Sequence, residues 1–152
     1  MKNKIVIIFS RVFSTMHSRR GEATDFANKL LSGEKKHTIR KNYDLWKVNV
    51  EKMERGNYYV SIRQWTGRPY HSSMEEIAKI HKLGIQSIAI YYHSDNDTMT
   101  AKIDGKEWFD ADTLAKNDGL SIQDFKECFF GKEPKEDKVF NGCIVHFTDF
   151  RY

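Results

Sequence analysis

Cysteine and proline are scarce in this chain, two of each in 152 residues. Cys128 and Cys143 form neither a framework of bridges nor a C-x-x-C pair, which excludes a disulfide-stapled scaffold and points to a reducing, cytoplasmic setting. Long apolar runs are missing as well. Nothing approaches the ~20 residues a membrane helix needs, so no membrane partner is expected. The stretch Ile5 to Phe9 is too short for a signal peptide and is followed by Arg11 without a small-residue cleavage site, so it is read as a buried first strand.

Motifs for metals and nucleotide cofactors are also lacking. Histidines 17, 37, 71, 81, 93 and 146 show no H-x-x-x-H or H-x-x-E-H spacing, which predicts no structural zinc. The segment "DNDTMT" has the acids of a calcium loop without its glycine or distal glutamate, and reads as a turn. No glycine-rich phosphate loop occurs, so no cofactor is expected. Cys128 lies in the apolar run "CFF" of a predicted helix and should pack as a small hydrophobe rather than act as a nucleophile.

What is present fits one compact domain over residues 1–152. Hydrophobic residues make up 39% and aromatics 13%, enough for a core, and charged residues make up 30%. The formal net charge is +4, too small to argue for nucleic acid by itself. Its distribution says more. Lys35, Lys36, Arg40 and Lys41 against Glu34 put a net +3 between Gly33 and Lys41, and Arg19 and Arg20 precede them. The other dense run, "KEPKED", balances its signs around Pro134 and reads as an exposed loop.

Periodicity orders the elements. A strand over 4–9 is followed by an irregular stretch, then by a helix in "ATDFANKLLSG" capped by Thr24 or Asp25, with Phe26, Leu30 and Leu31 as its stripe and Gly33 at its left-handed end. Trp46, Val50 and Met53 fall at i, i+4 and i+7 of a second helix that ends by Gly56, which makes Trp46 core. "NYYVSIRQW" alternates as a strand with Tyr58, Val60 and Ile62 buried, and "TGRPY" turns the chain. Ile85 to Tyr92 is β-rich, and Asp104-Gly105 is a hairpin turn within "MTAKIDGKEW", so a strand meander is expected. "DADTLAKNDG" and "SIQDFKECFFG" read as short helices opened by an Asp and by Ser121, and "CIVHFTDF" as the last strand. This order predicts an α+β fold with a mostly antiparallel, curled or barrel-like sheet and flanking short helices.

Gly33, Lys35, Thr38 and Arg40 spell G-x-K-x-x-T-x-R, placed after a helix and before a strand-rich region. With Asp118-Gly119 and the closing "DGLSIQDFKECFF" and "GCIVHFTDF", this resembles the ASCH family of the PUA-like superfamily, over roughly Phe9 to Tyr152. The resemblance implies a β-barrel with flanking helices whose cleft binds RNA or a nucleoside. Some small ASCH proteins resemble amidohydrolases that deacetylate N4-acetylcytidine with a Lys, a Thr and a Glu. Carried over, Lys35 is the base, Thr38 the nucleophile, and Asp118 stands where the Glu is expected. That position departs from the pattern: aspartate is one methylene shorter, and a displacement of about 1 Å at a catalytic group can cost ~100-fold.

The residues by themselves allow the same chemistry. A threonine hydroxyl needs a base, and a lysine serves as one only when burial or like charges, here Lys36 and Arg40, lower its pKa. If 37–40 is extended, Thr38 and Arg40 share one face and His37 and Ile39 the other. Arg40 and Lys36 are then ligand-binding candidates, together with Tyr43, Trp65 and Tyr70 as stacking rings. The plainer alternative is a solvated turn of Lys35, Lys36 and Lys41 and rings packed at an edge. An aspartate at a helix C-terminus meets the negative end of the dipole, which predicts Lys35 or Arg40 within about 4 Å of Asp118. The expected function is an RNA- or modified-nucleoside-binding domain. The alternative is an amidohydrolase using Lys35, Thr38 and Asp118.

Overall fold

The computed structural model describes residues 2–108 and 110–152. Among them are eight strands and four helices: β1 (Asn3–Phe9), α1 (Phe26–Leu31), β2 (His37–Arg40), α2 (Tyr43–Glu54), β3 (Tyr58–Trp65), β4 (Met74–Ile80), β5 (Gly84–His93), β6 (Thr98–Ile103), β7 (Lys106–Trp108), α3 (Ala111–Asn117), α4 (Ile122–Phe130) and β8 (Lys138–His146). The fold is α+β, with antiparallel pairing dominant.

The strands do not form one meander. They divide into a three-stranded sheet ordered β1-β3-β4 and a five-stranded sheet ordered β2-β8-β5-β6-β7, and no closed barrel forms. The break falls between β4 and β5. Every second residue of β5 is buried and it takes a neighbour on each side, β6 and β8, so no edge is left for β4. The first sheet also contains a parallel pair: β1 runs beside β3 with Ile5 opposite Val60, Ile7 opposite Ile62 and Phe9 opposite Gln64. The first two pairs and Phe9 face the core, while Val6 and Ile8 remain more than a third exposed on the outer side.

Capping follows the sequence closely in three helices. Asn42, Asp110 and Ser121 accept from the backbone N–H groups of Leu45, Thr113 and Asp124. α1 differs: Asp25 is its N-cap at φ 61 without a capping hydrogen bond to the backbone, its carboxylate accepting instead from Asn28 Nδ2, while Thr24 donates to the carbonyls of Ser10 and Arg11. Leu31, expected in the apolar stripe, is 66% exposed. α2 buries Trp46, Val50 and Met53 as its spacing requires. β8 starts at Lys138, earlier than the run "CIVHFTDF" suggests, since pairing with β5 extends through Val139 and Phe140.

Two apolar clusters flank β8. Ile144 and Ile39 join Phe13, Leu114 and Phe125 under α3 and α4, whereas Cys143 and Val145 join Ile7, Phe9, Trp46 and Ile62 between the two sheets. Cys128 is exposed rather than packed. It stands four residues after Asp124, on the flank of α4 rather than on the Phe125–Phe129 face, and its thiol is pushed up to about 11, by desolvation first and then by Asp118, Asp124 and Glu127.

Candidate functional site

β2 is a short edge strand whose four residues pair with β8, His37 opposite His146 and Arg40 opposite Cys143. Residues directly opposite share a face, so Thr38 and Arg40 look with Val145 and Cys143 into the space between the sheets, and His37 and Ile39 look toward α3 and α4. The extended backbone over 37–40 thus gives the alternation expected of it.

Lys35 precedes this strand and is 3% exposed. Its backbone N–H donates to Lys29 O at the end of α1, and the next N–H, of Lys36, donates to Asn117 O at the end of α3. This pair of bonds threads the segment between two helix ends and turns the Lys35 side chain inward. Lys35 Nζ donates to Asp118 O at 2.5 Å and lies 3.3 Å from Asp118 Oδ1, over the rings of Phe26 and Phe9 at 4.3 and 5.1 Å. Gly119 makes the approach possible: at φ 85 it tolerates the left-handed backbone, and a β-carbon there would sit 3.3 Å from the Lys35 side chain. Lys29 Nζ donates to Gly119 O at 2.8 Å, so two cations meet the negative end of α3.

Asp118 is shared. His37 Nδ1 also reaches its Oδ1, at 3.3 Å, which places the ring proton on Nδ1 because a carboxylate only accepts. His37 Nε2 then accepts from the Tyr152 hydroxyl at 2.7 Å, and Asn117 Nδ2 donates to that same oxygen at 3.0 Å. Burial pushes the Tyr152 phenol up, so it stays protonated and serves as this donor.

Arg40 joins the two sheets. Its Nη2 donates at 3.0 Å to Ile8 O on the edge strand β1, across the gap where a barrel would have to close. Its Nε is buried and, like His17 Nε2 and His146 Nδ1, has no hydrogen-bond partner among the described residues. The close packing behind it depends on Gly142 of β8, where a β-carbon would lie 2.2 Å from Arg40 O. Burial lowers the pKa of the Arg40 guanidinium, against the opposing pull of Asp118. Burial likewise lowers that of Lys35, Asp118 opposes it, and Arg40 and Lys29 add to the lowering. The solvated-turn alternative therefore fails for Lys35, while Lys41 is exposed and Lys36 is half-buried with Nζ 5.2 Å from the Phe150 ring.

The structure thus brings together Lys35, Asp118, Arg40 and the face of Thr38, and adds His37, Asn117 and Tyr152. Thr38 is buried, and among the described residues its hydroxyl makes no hydrogen bond with Lys35 or Asp118. Tyr43 stands elsewhere. It opens α2 and lines a cavity of about 380 Å³ with Lys41, Ser87, Lys102 and Gly142. Trp65 and Tyr70 belong to the β3–β4 hairpin, with ring centroids 5.0 Å apart. His37 carried a signal, since it adjoins Thr38; Asn117 and Tyr152 enter only through tertiary packing.

A second cluster went unread in the sequence. His17, Asp124 and Glu127 bring potential metal-ligating atoms within 4.8 Å of one another. The hydrogen bonds around them do not suit a metal. His17 Nδ1 accepts from the backbone N–H of Arg19 at 2.9 Å, which puts the ring proton on Nε2, the atom a metal would need free. Ser18 Oγ donates to Glu127 and Arg19 Nη1 to Asp124, both at 2.6 Å. These contacts clasp the loop after β1 onto α4.

Comparison with family models, with curated proteins and with solved structures gives no match.

Proposed function

We propose that the chain is an ASCH-like domain of PUA-like architecture that binds RNA or a modified nucleoside in a cationic cleft formed by Lys35, Thr38 and Arg40. The observation that carries this reading is Arg40 Nε, a buried guanidinium donor without an acceptor. Buried donors are rarely left unmade because the loss costs about 1–3 kcal/mol. A phosphate or carbonyl oxygen of a ligand would satisfy it, in a site where Lys35 and Arg40 face the single carboxylate of Asp118. The setting we infer is cytoplasmic, in keeping with two free cysteines.

The test is the affinity for single-stranded RNA as a function of salt. Binding should fall steeply between about 50 and about 200 mM salt as counterions are released, and Arg40→Ala should weaken it. Salt-independent binding, or none, removes the reading.

A second reading, an amidohydrolase for N4-acetylcytidine-type substrates, is favoured by the burial of Lys35, which lowers the pKa of its amine against the opposing pull of Asp118. In its deprotonated form the amine has two N–H donors for Asp118 O and Oδ1 and keeps a lone pair, which takes the Thr38 proton once a substrate aligns the two. Cytidine released from N4-acetylcytidine by the wild type, and lost in Lys35→Ala and Thr38→Ala, supports it. Turnover that survives both substitutions removes these residues from the mechanism.

A further inference from the structure

The β3–β4 hairpin ends in a cationic aromatic tip that the fold itself leaves unused. Tyr70 is 85% exposed and holds φ 64, a left-handed conformation that is unfavourable for a bulky L-residue. The loop around it is nonetheless well tied. Thr66 N–H and Oγ1 both donate to Ser73 O, Gly67 N–H donates to Ser72 Oγ, and Ser72 Oγ donates to Arg68 O at 2.8 Å. A loop so fixed that presents a ring to solvent in a strained conformation gains nothing in core packing. Trp65 covers one side of the ring, tilted by 51°, and the other side is open.

Its position relates it to the Lys35 cluster. β1 and β3 are parallel, so their C-terminal ends point the same way, and Phe9, which lies under Lys35 Nζ, is in register with Gln64. Trp65 and the tip therefore extend beyond β1 on the side where the Lys35 cluster sits. The loop that leaves β1 at this same end carries Arg11 and Arg20, both exposed, and the tip carries Arg68. Among the described residues none of these three arginines has a carboxylate within ion-pair distance. Residues 65–74 contain no acid. An open aromatic face on a hairpin tip with one unpaired arginine, at the end of the sheet where Arg11 also emerges, suits a polyanion that carries flat bases, for which stacking supplies affinity without sequence choice.

We propose that Tyr70, backed by Trp65, stacks a base of single-stranded RNA whose adjoining nucleotide occupies the Lys35–Arg40 cleft, so that the ligand recognised is an oligonucleotide rather than a free nucleoside. The inference rests on the nucleotide-binding reading given above, and it assigns the hairpin tip a separate contribution.

The test compares labelled oligocytidine RNA with cytidine monophosphate, on wild type, Tyr70→Gly, Tyr70→Phe and Arg40→Ala. Glycine suits φ 64, so Tyr70→Gly removes the ring without disturbing the loop. It should weaken the oligonucleotide about ten-fold or more and leave the mononucleotide unchanged. Tyr70→Phe should retain wild-type affinity for both, and Arg40→Ala should weaken both. Oligonucleotide binding by Tyr70→Gly equal to wild type, or equal losses for the two ligands, overturns the proposal while the nucleotide-binding reading stands. Wild-type protein that binds neither ligand overturns both.

Discussion

Two buried ionic clusters lie on either side of the α3–α4 corner, and they are built with opposite charge. Around Asp118 the cations are in excess: Lys35 touches the carboxylate, Arg40 is close enough to feel it, and one guanidinium nitrogen has no acceptor. Around His17 the acids are in excess, Asp124 and Glu127 against Arg19, and both carboxylates already accept short hydrogen bonds from the loop they hold. Each leaves one buried nitrogen without a hydrogen-bond partner, Arg40 Nε in the first and His17 Nε2 in the second. They differ in the sign of their excess charge and in what they hold: the second fixes a loop onto α4, and the first ties a helix end to the sheets.

Breaking the first cluster should cost most. Asp118→Ala removes the acceptor shared by Lys35 and His37 and leaves both buried without it, for a loss of about 3–5 kcal/mol in urea denaturation. A loss below about 1 kcal/mol would mean that Lys35 is not held by this carboxylate. Gly142→Ala drives a methyl group against Arg40 O and should cost about 1–3 kcal/mol, with RNA affinity reduced because Arg40 must move. The comparison sharpens with Glu127→Gln. It should cost a similar amount, about 1–3 kcal/mol, by weakening the clasp, yet leave RNA affinity at the wild-type level. Reduced RNA affinity in that variant would erase the distinction between the clusters.

A pH titration probes the flank of the cationic cluster. His146 packs edge-on to His37, and its pKa is lowered from 6.5 to about 3, first by burial and then by His37 and Arg151, with Asp104 opposing. The unfolded chain takes up this proton before the folded one does. Stability is therefore full above about 6.5 and falls toward about 3, by up to about 1.4 kcal/mol per pH unit in that window. Thermal melts should show a declining Tm on acidification, and His146→Gln should flatten the profile. The smallest effect belongs to Ser18→Ala, which deletes one hydrogen bond to Glu127 and should cost about 1 kcal/mol.

Local features were legible in the sequence because local physics decides them. The period of Trp46, Val50 and Met53, the caps at Asp110 and Ser121, and the extended HTIR segment all rest on neighbours a few residues away. The ion pair between Lys35 and Asp118 could be anticipated from the cost of an acid at a helix end. The division into two sheets could not, since it depends on which strand wins the place beside β5. His17 was hidden for a related reason: its partners lie on α4, far along the chain, and no spacing rule joins them. Tyr43, grouped with the cationic segment by proximity in sequence, is carried off by the direction of α2.

The ladder between β2 and β8 sets the order of events during synthesis. Among the described residues β2 pairs with no other strand, so His37 must wait for His146 and Arg40 for Cys143 before the edge on which they sit exists. Contacts this distant close late, because the intervening chain must be ordered first. On the ribosome His37 therefore stays hydrated until β8 docks, whereas Lys35 waits for Asp118 at the end of α3. A nascent chain that has not yet made β8 carries the whole G-x-K-x-x-T-x-R segment without the strand whose ladder fixes its register.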